Sequence, residues 1–193
     1  DVELRVMDSP RHSGAFGGPI LDSHTLAAML IARMYDAEGN LVVPGVESQE
    51  VVGGLQQDID EAQFRVDGGV LSGVKLAGSD SLASRLWVKP AVTVIGFDAH
   101  PVEGSFNVIS PSTKFRLSLR TAPSQDPEQA QKALGEFMVQ NAPFGSHVSW
   151  TPVDKGRGWA MDAHSEVSRI AEQALEDAFE TQPINQGQGG SIP

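Results

Sequence analysis

The chain contains no cysteine and one tyrosine, and aromatic residues make up only 6% of its 193 positions. Without cysteine there are no disulfides and no thiolate metal sites, and the composition suits a reducing cytoplasm, the compartment expected here. Basic residues are scarce: 14 Lys and Arg stand against 25 Asp and Glu, for a formal net charge of −11. A nucleic-acid partner needs a basic footprint, so none is expected. No apolar run approaches the roughly 18 residues that read as a membrane span, so no membrane partner is expected either. A Gly-x-Ser-x-Gly elbow, a phosphate loop and a dinucleotide fingerprint are also missing, which leaves serine-hydrolase, nucleotide-binding and NAD readings without support. The five histidines (His12, His24, His100, His147, His164) form no His-x-x-x-His or His-x-His pair and have no carboxylate cluster at ligand spacing. No metal site is therefore expected within the chain. Asp58-Ile59-Asp60-Glu61 reads as a solvated acidic helix end.

What remains is ordinary material for a folded domain, with 40% hydrophobic and 20% charged residues. Residues 1–7 alternate Val2, Leu4 and Val6 with polar neighbours, the period of a half-buried strand. A glycine-rich turn over 12–18 must adopt positive φ somewhere. Asp22 or Ser23 is placed to cap a helix to about 35, with Leu26, Leu30 and Met34 on one stripe, and residues 36–40 stop it. Residues 46–89 read as an irregular insertion, with a possible helix over 48–60. Strands are expected over 91–97, where Val92 and Val94 alternate with Thr93 and Ile95, and over 114–121, where Phe115, Leu117 and Leu119 share a face. Asp126-Pro127-Glu128 is a helix start, with a cap, proline at the first helical position and an acid in the first turn. A fourth strand is expected over 146–153. The order strand–helix–strand–strand–helix–strand predicts a ferredoxin-like α+β sandwich over 1–153, a four-stranded antiparallel sheet with two helices on one face. A further amphipathic helix over 163–179, with Val167, Ile170 and Leu175 turned inward, needs a partner that a two-layered unit does not supply.

Several short segments could carry chemistry. In Arg11-His12-Ser13-Gly14-Ala15-Phe16-Gly17-Gly18, an imidazole in a glycine-rich turn can offer N–H to a developing oxyanion; a surface turn histidine is the bland alternative. Ser118-Leu119-Arg120 ends a strand on a guanidinium, whose planar fork suits a carboxylate but equally suits water. Asn107, in Asn107-Val108-Ile109, can be a ligand contact or a turn residue. Gly189-Gly190-Ser191-Ile192-Pro193 is a tight turn.

Taken together, these segments resemble the M20 zinc-dependent metallopeptidases, in particular the carnosinase-like dipeptidases. The resemblance implies a dimerisation and lid domain over 1–153, followed by a fragment of the catalytic domain over 154–193. It implies that His12 stabilises the tetrahedral intermediate in the partner subunit's active site, that Arg120, Gly190 and Ser191 hold the substrate carboxylate, and that Asn107 lies near the reacting centre. Two zinc ions are implied for the full-length enzyme, on residues outside this chain, and the implied substrate is a dipeptide or an N-acyl amino acid. A homodimer formed through the lid is expected, and the isolated fragment is expected to be inactive. The segment Gly156-Arg157-Gly158-Trp159 resembles the point of re-entry into the catalytic domain. Asp154 stands where carnosinase-like relatives have a substrate-binding histidine, and Gln188 where many have glutamate. An N-acyl-amino-acid amidohydrolase of the same family, and a non-catalytic ferredoxin-like dimerisation module, are the alternatives.

Overall fold

The computed structural model describes residues 1–49 and 58–188. Four strands, β1 (Val2–Arg5), β3 (Ala91–Phe97), β5 (Ser112–Arg120) and β6 (His147–Trp150), form one antiparallel sheet in the order β3-β5-β1-β6. Two longer helices, α2 (Ser23–Ala32) and α5 (Pro127–Gln140), cover one face of it. This is the ferredoxin-like arrangement the sequence predicts. Each parallel pair of strands, joined by a helix crossover, is split by an antiparallel strand between them.

Alternation explains the two faces. Val2 and Leu4 of β1 stand opposite Phe115 and Thr113 of β5, and opposite Trp150 and Val148 of β6. Their side chains meet Leu26, Ala27, Leu30 and Met34 below, with Leu134 and Met138 of α5. The stripe Leu26, Leu30 and Met34 is at most 1% exposed, and full burial of a side chain this size is worth about 2 kcal/mol. On the open face Glu3 approaches Arg5 and Lys114 at 3.6 and 3.5 Å; half-exposed pairs of this kind add little stability.

Strand β3 departs from simple alternation. Val94 stands opposite Leu117 but Gly96 opposite Arg116, so Ile95 is an extra, bulged residue. The bulge turns Phe97 onto the core face, where its ring stacks on Phe115 at 5.8 Å. Outward, Ile95 is 60% exposed, on an edge strand without a charged residue.

Helix starts follow local chemistry. The Asp22 carboxylate accepts from the N–H and hydroxyl of Thr25 at 2.9 and 2.7 Å, and Asp126 caps α5 through Glu128 and Gln129. Helix α2 ends at Ala32, short of 35, and Asp36 organises the stop by accepting from the backbone of Glu38 and Asn40. The helix expected over 48–60 is not found at its described ends, and residues 50–57 lie outside the described residues. Asp60 instead caps a later helix, α3 (Glu61–Asp67), and Asp58 accepts from the N–H of Ala83 in α4 (Leu82–Trp87), so these acids are structural.

After β6, residues 151–162 carry no regular structure, and α6 (Glu166–Phe179) follows with Ser165 as its cap. Its apolar stripe, expected to need a partner that the two-layered unit does not supply, is left uncovered among the described residues. Val167, Ile170 and Leu175 are 77%, 62% and 47% exposed, because the sheet's one apolar face is already filled by α2 and α5.

Candidate functional site

Between β1 and α2 the chain makes a second, two-stranded ribbon. Strand β2 (Arg11–His12) pairs antiparallel with β4 (Val108–Ile109), setting His12 opposite Val108. One residue on, Ser13 N–H donates to the Asn107 carbonyl at 3.0 Å. Two candidates nearly a hundred positions apart in sequence thus lie side by side, both exposed, beyond the Ser112 end of the main sheet.

His12 is also the cap of the short helix α1 (Ser13–Phe16), and its Nδ1 accepts from Gly14 N–H at 3.1 Å. An imidazole nitrogen that accepts has no hydrogen, so in the neutral ring the proton sits on Nε2. The turn therefore aims an N–H donor outward, as oxyanion binding requires. Glycine at 14 allows this, because a Cβ there would stand 3.0 Å from Cε1 and 3.2 Å from Nδ1 of His12. The positive φ expected in the turn falls on Gly18, at 94°. Arg11 is engaged locally, donating to Ser9 Oγ at 2.6 Å and reaching Asp8 at 3.4 Å. Hydrogen bonding from Ser9, followed by the Arg11 charge, holds the Asp8 carboxyl below its ordinary range.

Arg120 lies at the opposite end of β5, exposed and in register with Ala91. Nine residues of strand span about 27 Å, so one chain does not bring Arg120 to His12 and Asn107. Beyond Arg120 the chain turns through buried Ala122, and Gly158 packs so tightly there that a Cβ would stand 2.8 Å from Pro123 Cα. Gly156-Arg157-Gly158-Trp159 is thereby brought to the Arg120 end of the sheet.

The match to known proteins fits this architecture. The family model of the M20 peptidase dimerisation domain covers residues 1–145. The chain belongs to that family. A cysteinylglycine-S-conjugate dipeptidase of Corynebacterium striatum is 30% identical over 194 residues, spanning 99% of this chain and 42% of the relative. Two solved structures share the fold over the whole chain. The dipeptidase Dug1p of Saccharomyces cerevisiae has a TM-score of 0.73 at 19% identity, with 42% of it covered. Human carnosine dipeptidase 1 has a TM-score of 0.66 at 22% identity, with 43% covered. The chain thus spans less than half the length of the relatives it matches.

In this M20 domain the described residues do not fit a metal centre, for no group of three or more His, Asp or Glu among them is placed to hold an ion. Gly190 and Ser191 lie outside the described residues. Asp154 is exposed, with its carbonyl accepting from Gln131 at 3.5 Å. Among the described residues no helix is long and apolar enough to cross a membrane.

Sequence reasoning misses one constellation. His24, at the start of α2, lies 6.3 Å ring to ring from His100, edge-on, and His100 lies 6.2 Å from Phe106. A search for closely spaced histidines passes over a pair that meets only through the fold.

Proposed function

We propose that the full-length protein is a cytoplasmic, homodimeric, zinc-dependent dipeptidase, and that this chain supplies its substrate-gripping lid and its dimerisation surface. The zinc ions belong to residues outside this chain, so the part played by the residues described above is binding and hydrogen bonding. Arg120, with the turn at Gly190 and Ser191, takes the carboxylate of a substrate in its own subunit. His12 Nε2–H, with Asn107 beside it, reaches the oxyanion of a substrate held by the partner. Removal of one such donor typically costs 100- to 1,000-fold in turnover.

The separation of His12 from Arg120 by the length of β5 carries this conclusion. An extended dipeptide is about 7 Å long, far too short to touch both ends of a strand of about 27 Å. A two-fold axis beside the middle of β3 resolves the mismatch. It sets the Phe97 end of one strand, next to the ribbon of His12 and Asn107, beside the partner's Ala91 end, next to Arg120. The surface there is apolar: Ile95 and Phe97 are 60% and 39% exposed, and Val102 and Phe106 on the following loop 93% and 72%.

Subunit exchange tests this in the full-length protein. His12→Ala and Arg120→Ala homodimers are each expected to be folded and nearly inactive. After mixing, half of the dimers are hybrids, and each hybrid holds one intact composite site, so activity returns to about one quarter of wild type. Verified hybrids without activity would overturn the shared site, and unchanged turnover in His12→Ala would leave a non-catalytic module. An N-acyl amino acid offers the same carbonyl and carboxylate as a dipeptide. The names of the relatives favour the dipeptide, and parallel assays on Xaa-Yaa dipeptides and N-acyl amino acids decide.

A further inference from the structure

Asn107 ends a loop, residues 98–107, that has little of its own to hold it. Val102 and Phe106 are 93% and 72% exposed, and its internal backbone bonds run only from Ser105 N–H to Val102 O and from Val108 N–H to Phe106 O. Both ends of the segment are nevertheless tied to the first turn of α2. At one end the Asp98 carbonyl lies 3.2 Å from His24 Nε2, and Thr113 Oγ1 donates to the same oxygen at 2.7 Å. Just past the other end, Ser23 N–H donates to the Ser110 carbonyl at 3.1 Å, while Ser13 N–H holds the Asn107 carbonyl itself at 3.0 Å. A carbonyl oxygen only accepts, so His24 Nε2 carries the hydrogen. The other His24 nitrogen, Nδ1, lies 3.6 Å from the Asp22 carboxylate, which is fixed by Thr25. From His24 a chain of rings then crosses the loop: His24 edge-on to His100, and His100 against Phe106, the neighbour of Asn107.

We propose that His24 is a positioning residue for the hydrolytic reaction. It holds the start of the 98–107 loop through Asp98 and steadies Phe106 through His100, and so, together with the Ser13 bond to the Asn107 carbonyl, sets where the Asn107 side chain stands in the active site. This rests on the role assigned to Asn107 above. Misplacing a site group by about 1 Å can cost about 100-fold. Loosening a loop that keeps its ties to Lys114, Thr113, Ser13 and Ser23 is a smaller disturbance, and a loss of up to roughly tenfold in kcat is expected.

The test is steady-state kinetics of the full-length dimer, with circular dichroism and the unfolding midpoint measured on every variant. His24→Phe keeps a ring and loses the donor, whereas His24→Gln keeps a donor of similar reach and should recover most of the kcat. His100→Ala removes the loop's side of the ring contact without touching α2 and should lower kcat in the same direction. The deciding comparison is His24→Phe in an Asn107→Ala background, where a residue that acts through Asn107 has little left to lose. An equal additional loss there, or wild-type kcat in both His24→Phe and His100→Ala while Asn107→Ala is impaired, overturns the positioning role. Wild-type kinetics in Asn107→Ala itself would instead remove the role of Asn107 and the positioning role with it.

Discussion

Replacing Gly135 by alanine sets helix propensity against packing. Gly135 is buried in the middle of α5, where alanine would ordinarily stabilise the helix by about 1 kcal/mol. Here the added Cβ would stand 2.7 Å from Trp150 Cε3 and closer still to Cδ2 and Cε2. Carbon atoms rest about 3.5–4.0 Å apart, so the ring must withdraw by about 1 Å or more from its place against the core. Overpacking of this kind costs about 1–3 kcal/mol, and a displacement this large lies toward the upper end. The expected net effect is a loss of about 1–2 kcal/mol, read as a lower urea midpoint at unchanged slope by circular dichroism. Trp150→Val removes the obstruction, so adding Gly135→Ala to it should restore the propensity gain. The coupling between the two substitutions should be at least about 1 kcal/mol. A Gly135→Ala protein more stable than wild type, or strictly additive substitutions, would refute the close approach of α5 to β6.

Two further outcomes are expected. Gly14→Ala crowds the His12 ring at Cε1 and Nδ1 and should leave the unfolding midpoint within about 1 kcal/mol of wild type. It should lower kcat/KM of the full-length protein roughly tenfold by shifting the donor, and full activity would place His12 outside the site. Asp126 is held below the ordinary aspartate value of 3.8 by the N–H groups of Gln129 and Glu128, with Arg157 and Lys155 adding to the effect. A depressed carboxyl stabilises the fold above its unfolded value, and that contribution fades as pH falls through the folded value, hence below about pH 4. Asp126→Asn keeps a cap that cannot titrate, so its stability should fall less steeply in acid; identical acid limbs would exclude the cap as a titrating group.

The ferredoxin-like unit was legible because its elements declare themselves locally. Period-two runs in β1 and β5, the Leu26–Leu30–Met34 stripe and the Asp126-Pro127-Glu128 start are each written within a few consecutive residues. The bulge at Ile95 was not legible, since alternation through Val92 and Val94 gives no sign that Phe97 must return to the core face; Phe115 across the ladder imposes that. The α6 stripe was legible, as was the lack of room for it on a sheet face that already holds two helices; its partner was not. Its periodicity fixes which residues share a stripe but not whether anything covers them.

The candidate site divides along the same line. The sequence by itself determined the residue types and their motifs: an imidazole in a glycine turn at His12, a guanidinium at a strand end at Arg120, an amide at Asn107. It also determined the family resemblance, which implies roles for them. Only the tertiary structure decided which of them meet. Long-range pairing of β2 with β4 joins His12 to Asn107, the rigid length of β5 holds Arg120 apart from both, and the first turn of α2 carries His24 to the loop between. Local sequence specifies dihedral preferences and which face is apolar. Distances between remote residues arise from strand register and packing, which belong to the whole chain at once.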